Sequence, residues 1–366
     1  MKQLIPIIEL LVVVLVGIEA YIGFVGWTDF GVYYTASRLV SSGTPDKMYD
    51  FDILKRMQIE IGEKGWPYIY PPFFAIVMQP FLMFDEKTSF WIYFILQLPI
   101  LWLFLFMLRK NFWDGENSKI WILVLLTLAI STTTVRTLSY GQVNFIVWTM
   151  WLLSFWLYSK QKPVLGSLAL ALSTMIKVIP LLSIIVLLHQ RKWKEILYLF
   201  GWIVAIFGLT LFFVDIDTWI AYIHAAASIG ETVNSIALYG ETGIRRFLHY
   251  FLPSMEKFWF ILSFVFVVIT YLKIRSLKDG WSYLGYLIPI SSPIVWAHHF
   301  LNASVPFLFF GQKLWGRKTF YWFAAFNFLA LVRSPFVWHR HILKFIFLLF
   351  AFSIVILEKR CRDVSH

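Results

Sequence analysis

Long apolar runs separated by short charged connections set the pattern of this chain. Runs near 5–25, 90–108, 119–135, 142–158, 164–176, 178–189, 195–214, 257–275, 281–295, 299–311, 319–332 and 342–357 each predict a helix at membrane depth. Inside lipid a helix satisfies every backbone polar group from within its own segment. Several runs fall short of the ~20 residues a full crossing needs. The stretches around 164–189 and 281–311 are therefore expected as broken or half-depth helices, with Pro180, Pro289 and Pro293 at or near the breaks. Residues 29–89 depart from the pattern. From Asp29 to Gly65 apolar residues recur at helical spacing among charges (Val32, Leu39, Val40, Ile53, Leu54, Met57, Ile61). That spacing predicts one or two amphipathic helices on the membrane surface. An apolar stretch follows from Tyr68-Ile69-Tyr70-Pro71-Pro72 to Phe84, and the pattern alone reads it as a crossing or an interfacial helix.

Loop charge decides between those two. If 70–84 does not cross, the connections carrying Arg109, Lys110, Lys160, Lys162, Arg191, Lys192, Lys194, Lys273, Lys278, Lys313 and Arg317 share one side with both termini. That side then holds roughly +12 and the other roughly +1, the asymmetry of a cytoplasmic face. A crossing at 70–84 would flip every later loop and erase it. The expected protein is an all-α polytopic membrane protein of the cell membrane, one domain over 1–366, with about twelve transmembrane helices and cytoplasmic N and C termini. Residues 29–89 form an outer loop with surface helices, and 215–256 form a second outer loop.

Composition agrees. The chain is 59% hydrophobic and 14% charged, against about 25% charged in soluble domains. Its formal charge of +11 follows from the positive-inside rule and gives no reason to invoke nucleic acid. One cysteine, Cys361, excludes a disulfide within the chain. The first apolar run lacks a clear small-x-small cleavage site and reads as an uncleaved signal anchor.

Placed on this topology, the polar clusters at span ends all face the non-cytoplasmic side. Asp29 directly follows the first span. A carboxylate there can take a proton from a sugar hydroxyl, or simply cap the next helix. Glu19 is a second acid, inside the first span. His298 and His299 follow a Pro293 break; such histidines contact a phosphate or protonate a leaving oxygen, or hydrogen-bond in the interior. Arg136, Lys177, Arg245, Arg246 and Arg333 are cations near outer span ends, suited to a lipid phosphate or to headgroup contact. Gln142 and Asn144 place amides at a span entrance, where they suit sugar hydroxyls or interhelical bonds. No His or Cys set has zinc-ligand spacing. No phosphate-binding loop, dinucleotide glycine motif or nucleophile elbow is present, so no cofactor and no metal are expected.

Several segments in order resemble glycosyltransferase family 87, polytopic enzymes of the GT-C type. They are Asp29-Phe30-Gly31-Val32-Tyr33-Tyr34, Ser42-Gly43-Thr44-Pro45, Met48-Tyr49-Asp50, Tyr70-Pro71-Pro72-Phe73-Phe74, Gly141-Gln142-Val143-Asn144 and Ile176-Lys177-Val178-Ile179-Pro180. Arg191-Lys192-Trp193, Asn234-Ser235, Gly243-Ile244-Arg245-Arg246 and Ser292-Pro293-Ile294-Val295-Trp296-Ala297-His298-His299 continue the series. The resemblance implies a GT-C-type helical bundle. It also implies transfer of a hexose, most often mannose, from a polyprenyl-phosphate-sugar donor to a lipid-linked or cell-envelope glycan acceptor. It assigns Asp29 as catalytic base and His299 as the donor-phosphate contact. His298, Arg245, Lys177, Gln142, Asn144, Asn234, Arg136, Tyr33 and Tyr70 become substrate-binding candidates. Membrane lipids and the two substrates are the implied partners. A transporter or flippase of a lipid-linked sugar is the competing expectation, since broken helices suit it.

Overall fold

The computed structural model describes residues 2–24, 28–236, 243–292, 297–332 and 340–358. The regular structure within them is helical, apart from an isolated bridge between Ser131 and Val332. The first helix is α1 (Ile5–Ile22). A folded layer follows, made of α2 (Phe30–Ser41), α3 (Phe51–Glu60) and the short α4 (Pro72–Val77). Next come α5 (Glu86–Phe112), α6 (Ser118–Ala129), α7 (Thr132–Ser139), α8 (Asn144–Ser159) and α9 (Pro163–Ile176). Then α10 (Ile184–His189) and α11 (Trp193–Thr210) lead to α12 (Ile216–Ile236) and α13 (Ile244–Phe251). They are followed by α14 (Trp259–Lys273), α15 (Leu277–Ser291), α16 (Ser304–Leu314), α17 (Lys318–Leu331) and α18 (Arg340–Leu357).

Among the described residues, length and composition mark four stretches as able to cross a membrane: Ile5–Ile22, Glu86–Phe112, Trp193–Thr210 and Pro253–Lys273. Each coincides with an expected span. Most other expected spans fold as shorter helices, and the stretch at 164–189 is indeed broken. There α9 stops at Ile176, Lys177 is extended, and a 3-10 turn (Ile179–Ser183) precedes α10. Pro180 forces the interruption, because its ring cannot donate to the helix ladder. Charge inside the first crossing is paired: Glu9, fully buried on α1, meets Arg109 of α5 at 2.5 Å. Glu19, on the same helix, points outward.

Residues 29–89 differ from the surface helices expected of them. α3 is amphipathic, burying Leu54 and Gln58 with charge on its other face. α2 is not a surface helix, since only Arg38 and Ser41 along it are exposed. It packs against α4, α5 and the 3-10 turns Pro45–Tyr49 and Gln79–Met83. Small residues make this possible: Ser37 donates its hydroxyl to the Ala75 carbonyl of α4 at 2.8 Å. The apolar stretch Pro72–Met83 is too short to cross and lies against α2. Gln58 fixes the connection into it by bonding both backbone groups of Trp66, at 2.7 and 2.8 Å. The 215–256 segment is largely helical, and α12 alone spans 21 residues of it. α12 lies on the Pro45–Tyr49 turn, where the rings of Tyr222 and Tyr49 are 5.8 Å apart.

Candidate active site

The start of α2 is where Asp29 acquires its setting. The carboxylate makes no capping bond to the helix. The hydroxyl of Thr28 does that work, accepting from Gly31 N–H at 3.1 Å. Thr28 is itself clamped by Glu63, whose carboxylate accepts from the Thr28 N–H at 2.6 Å and from its hydroxyl at 2.8 Å. An acid at a helix N-terminus also complements the helix dipole. The backbone N–H groups of Asp29 and Phe30 both donate to the carbonyl of Tyr140, at 2.8 and 3.2 Å, just past the end of α7. Gly141 lets that turn come close. It has φ +63°, and a Cβ there would lie 2.8 Å from Cβ of Phe30. With its helix capped by other groups, the Asp29 side chain is free for another partner.

That partner is Gln142, whose amide nitrogen donates to Oδ2 of Asp29. The Gln142 oxygen accepts from the hydroxyls of Tyr33 and Tyr70, each at 3.3 Å, and those two hydroxyls are 2.9 Å apart. Lys177 stands beside this cluster. Its ammonium donates to Oδ1 of Asn144 at 3.0 Å and lies 5.8 Å from the centre of the Tyr70 ring. The break after α9 is what delivers a buried lysine here, since Lys177 is extended and ends that helix. Asp29 as a residue is half-buried. Crowding by protein raises its carboxyl to about 6, against the lowering pull of the Gln142 amide and the Lys177 ammonium. Burial likewise lifts Glu63 to about 7, against the two Thr28 donors. Burial also pushes both Tyr33 and Tyr70 upward, so they remain protonated donors.

Of the residues singled out from sequence, Asp29, Tyr33, Tyr70, Gln142, Asn144 and Lys177 thus form one contiguous cluster. Arg136 lies on α7 with its guanidinium 5.8 Å from the Tyr140 ring centre. His299 is buried in the 3-10 turn Ala297–Ala303. This turn packs on α7 and α8, the two helices that flank Gln142. Arg245 is engaged elsewhere, pairing with Glu256 at 3.1 Å, and Glu256 also meets His249 at 2.8 Å. Its neighbour Arg246 is the more buried of the two and stacks on Tyr250 at 4.7 Å. The side chains of His298 and Asn234, and all of Arg333, lie outside the described residues.

Two contributors were not expected from sequence, and a third buried polar group stands at the far end of α7. Thr28 and Glu63 hold the backbone that aims Asp29, across 35 residues of chain. Lys344 is buried, and its ammonium donates to the Thr132 hydroxyl at 2.5 Å and to the Leu331 carbonyl at 3.4 Å, at the start of α7. A buried lysine within an apolar helix was the available signal for Lys344. Glu63 sits among charged and glycine residues and gave none. Among the described residues no three His, Cys, Asp or Glu side chains converge to hold a metal ion.

Chemically, the cluster offers one carboxylate of near-neutral proton affinity, several neutral hydrogen-bonding groups and one buried cation. A family model, Glycosyltransferase family 87, matches residues 68–282. Comparison with curated proteins finds no match. Comparison with solved structures finds none either.

Proposed function

Because the chain belongs to glycosyltransferase family 87, and so is a membrane glycosyltransferase, we propose that Asp29 is the base of a single inverting sugar transfer. The donor is a polyprenyl-phosphate hexose, with mannose the first choice. The acceptor is a hydroxyl of a lipid-linked or cell-envelope glycan, at the non-cytoplasmic face. Asp29 takes the acceptor proton while that oxygen bonds to the anomeric carbon. The bond from that carbon to the phosphate oxygen breaks, and its electron pair leaves with the polyprenyl phosphate. Lys177 and His299 meet the charge that develops on the leaving phosphate. Gln142, Asn144, Tyr33 and Tyr70 orient sugar hydroxyls, and Arg136 lies at the edge. No metal is required, because cationic side chains hold a phosphate monoester directly. Arg245, held by Glu256, is given no step.

One observation carries this reading. The Asp29 carboxylate is relieved of helix capping by Thr28 and accepts from the neutral amide of Gln142. A base needs a proton affinity near the working pH, and this setting supplies it. The test is to incubate the purified protein with a panel of polyprenyl-phosphate sugars and follow release of carrier phosphate with sugar transfer. Asp29→Asn is expected to abolish most transfer while the protein still inserts. Near-normal turnover in that variant overturns the assignment. Movement of lipid-linked sugar across proteoliposomes without transfer would favour the transporter alternative.

A further inference from the structure

A second site stands at the end of the bundle where α8 gives way to α9 and α10 to α11. Two non-glycine residues are left-handed among the described residues, Gln161 (φ 56°) and Arg191 (φ 52°). Each follows a helix end. Past Gln161, Lys162 N–H reaches back to the Leu157 carbonyl at 2.9 Å; past Arg191, Lys192 N–H reaches back to the Leu187 carbonyl at 2.8 Å. Glycine is the usual residue at such a position, because other L-residues are disfavoured there. Keeping a polar side chain in that conformation points to a use for it.

Gln161 and Lys192 both line a cavity of about 510 Å³, together with Lys110, Lys160, Lys278 and Trp156. None of its lining residues is acidic. Aromatic faces support the ammonium groups. Lys110 sits 4.7 Å from the Trp156 ring centre, and Lys278 sits 5.5 Å from that of Phe309. A π-face stabilises a cation without cancelling its charge. Lys192 meets Glu195 at 3.2 Å, beyond the cavity wall. Four lysines and no acid among the lining residues give this space a positive potential that favours an anion.

We propose that this cavity binds a phosphate-bearing anion. Loop charge places it at the cytoplasmic surface, where basic pockets between helices take anionic lipid headgroups. A soluble phosphate offers the same chemistry. The site is independent of the transfer reaction, and its test uses no turnover.

The full chain, purified in detergent, is titrated with short-chain phosphatidylglycerol, short-chain phosphatidylcholine and inorganic phosphate. Thermal unfolding and native mass spectrometry are the readouts. Phosphatidylglycerol is expected to raise the melting temperature saturably and to be retained in the gas phase, while phosphatidylcholine does neither. Lys110→Gln with Lys160→Gln, both at exposed positions, should weaken the apparent affinity roughly 25-fold, at about five-fold per lysine. The corresponding double arginine variant should restore binding. A response to inorganic phosphate that the glutamine variant loses also supports the site and identifies a soluble ligand. The proposal is overturned if no anion shifts the melting temperature, or if the shift is the same in wild type and in the glutamine variant.

Discussion

Acids in two parts of this bundle live under opposite regimes. Glu9 is joined to Arg109 at 2.5 Å and Asp279 to Lys313 at 3.1 Å, each a buried acid closed by a cation. Asp29 faces an amide backed by two phenols, and the nearby lysine is already donating to Asn144. An ion-paired buried acid is committed, since removing either partner strands a charge in low dielectric. Neutral partners tolerate both states of a carboxyl, so Asp29 can take a proton and give it up. The first arrangement fixes helices to each other, and the second leaves chemistry open.

The largest expected effect separates these regimes by rate. Asp29→Asn should lower transfer 10²–10⁴-fold, the usual cost of a lost general base, with unchanged insertion and melting temperature. Equal loss of turnover per folded molecule in Glu9→Gln would break the contrast. Stability gives the converse result. Arg109→Ala strands Glu9 and should cost about 3–5 kcal/mol by thermal unfolding, while turnover per folded molecule holds.

The pH profile sharpens the comparison. The carboxyl of Asp29 is raised to about 6, and only its ionised form accepts a proton. Transfer should therefore fall about tenfold per pH unit below that value. The groups facing Asp29 are Gln142, Tyr33, Tyr70 and Lys177. Lys177→Gln removes the cation that lowers the Asp29 carboxyl, so the acid limb should move to higher pH. A limb that stays in place would remove Lys177 from the site.

The smallest effects belong to the clamp. Glu63→Gln weakens one hold on Thr28, about 1 kcal/mol. It should appear as a roughly five-fold fall in kcat with KM unchanged. Thr28→Ala removes the cap of α2 and should cost about 1 kcal/mol of stability in addition to that fall.

Much of the helical layout was legible, because apolar runs and prolines report backbone needs locally. The break at Lys177 followed from Ile176-Lys177-Val178-Ile179-Pro180, where proline cannot continue a helix. The setting of Asp29 was not legible. Its position suits a cap as well as a base, and only Thr28 and Glu63, brought together across 35 residues, show which. α2 misled for a related reason. Its apolar spacing fits a surface helix, but Ala36 and Ser37 allow α4 close enough to bury its far side. Arg245 shows the limit of a sequence match, since Glu256, eleven residues on, holds its guanidinium.

By itself the sequence determined a membrane-embedded helical chain of family 87 with an acid just after its first span. Hydrophobic period, proline position and ordered motifs act over a few residues and do not depend on the rest of the fold. Tertiary structure decided what that acid faces. Proton affinity depends on groups within a few ångströms, and Gln142, Tyr70 and Lys177 reach Asp29 only after distant segments have packed together.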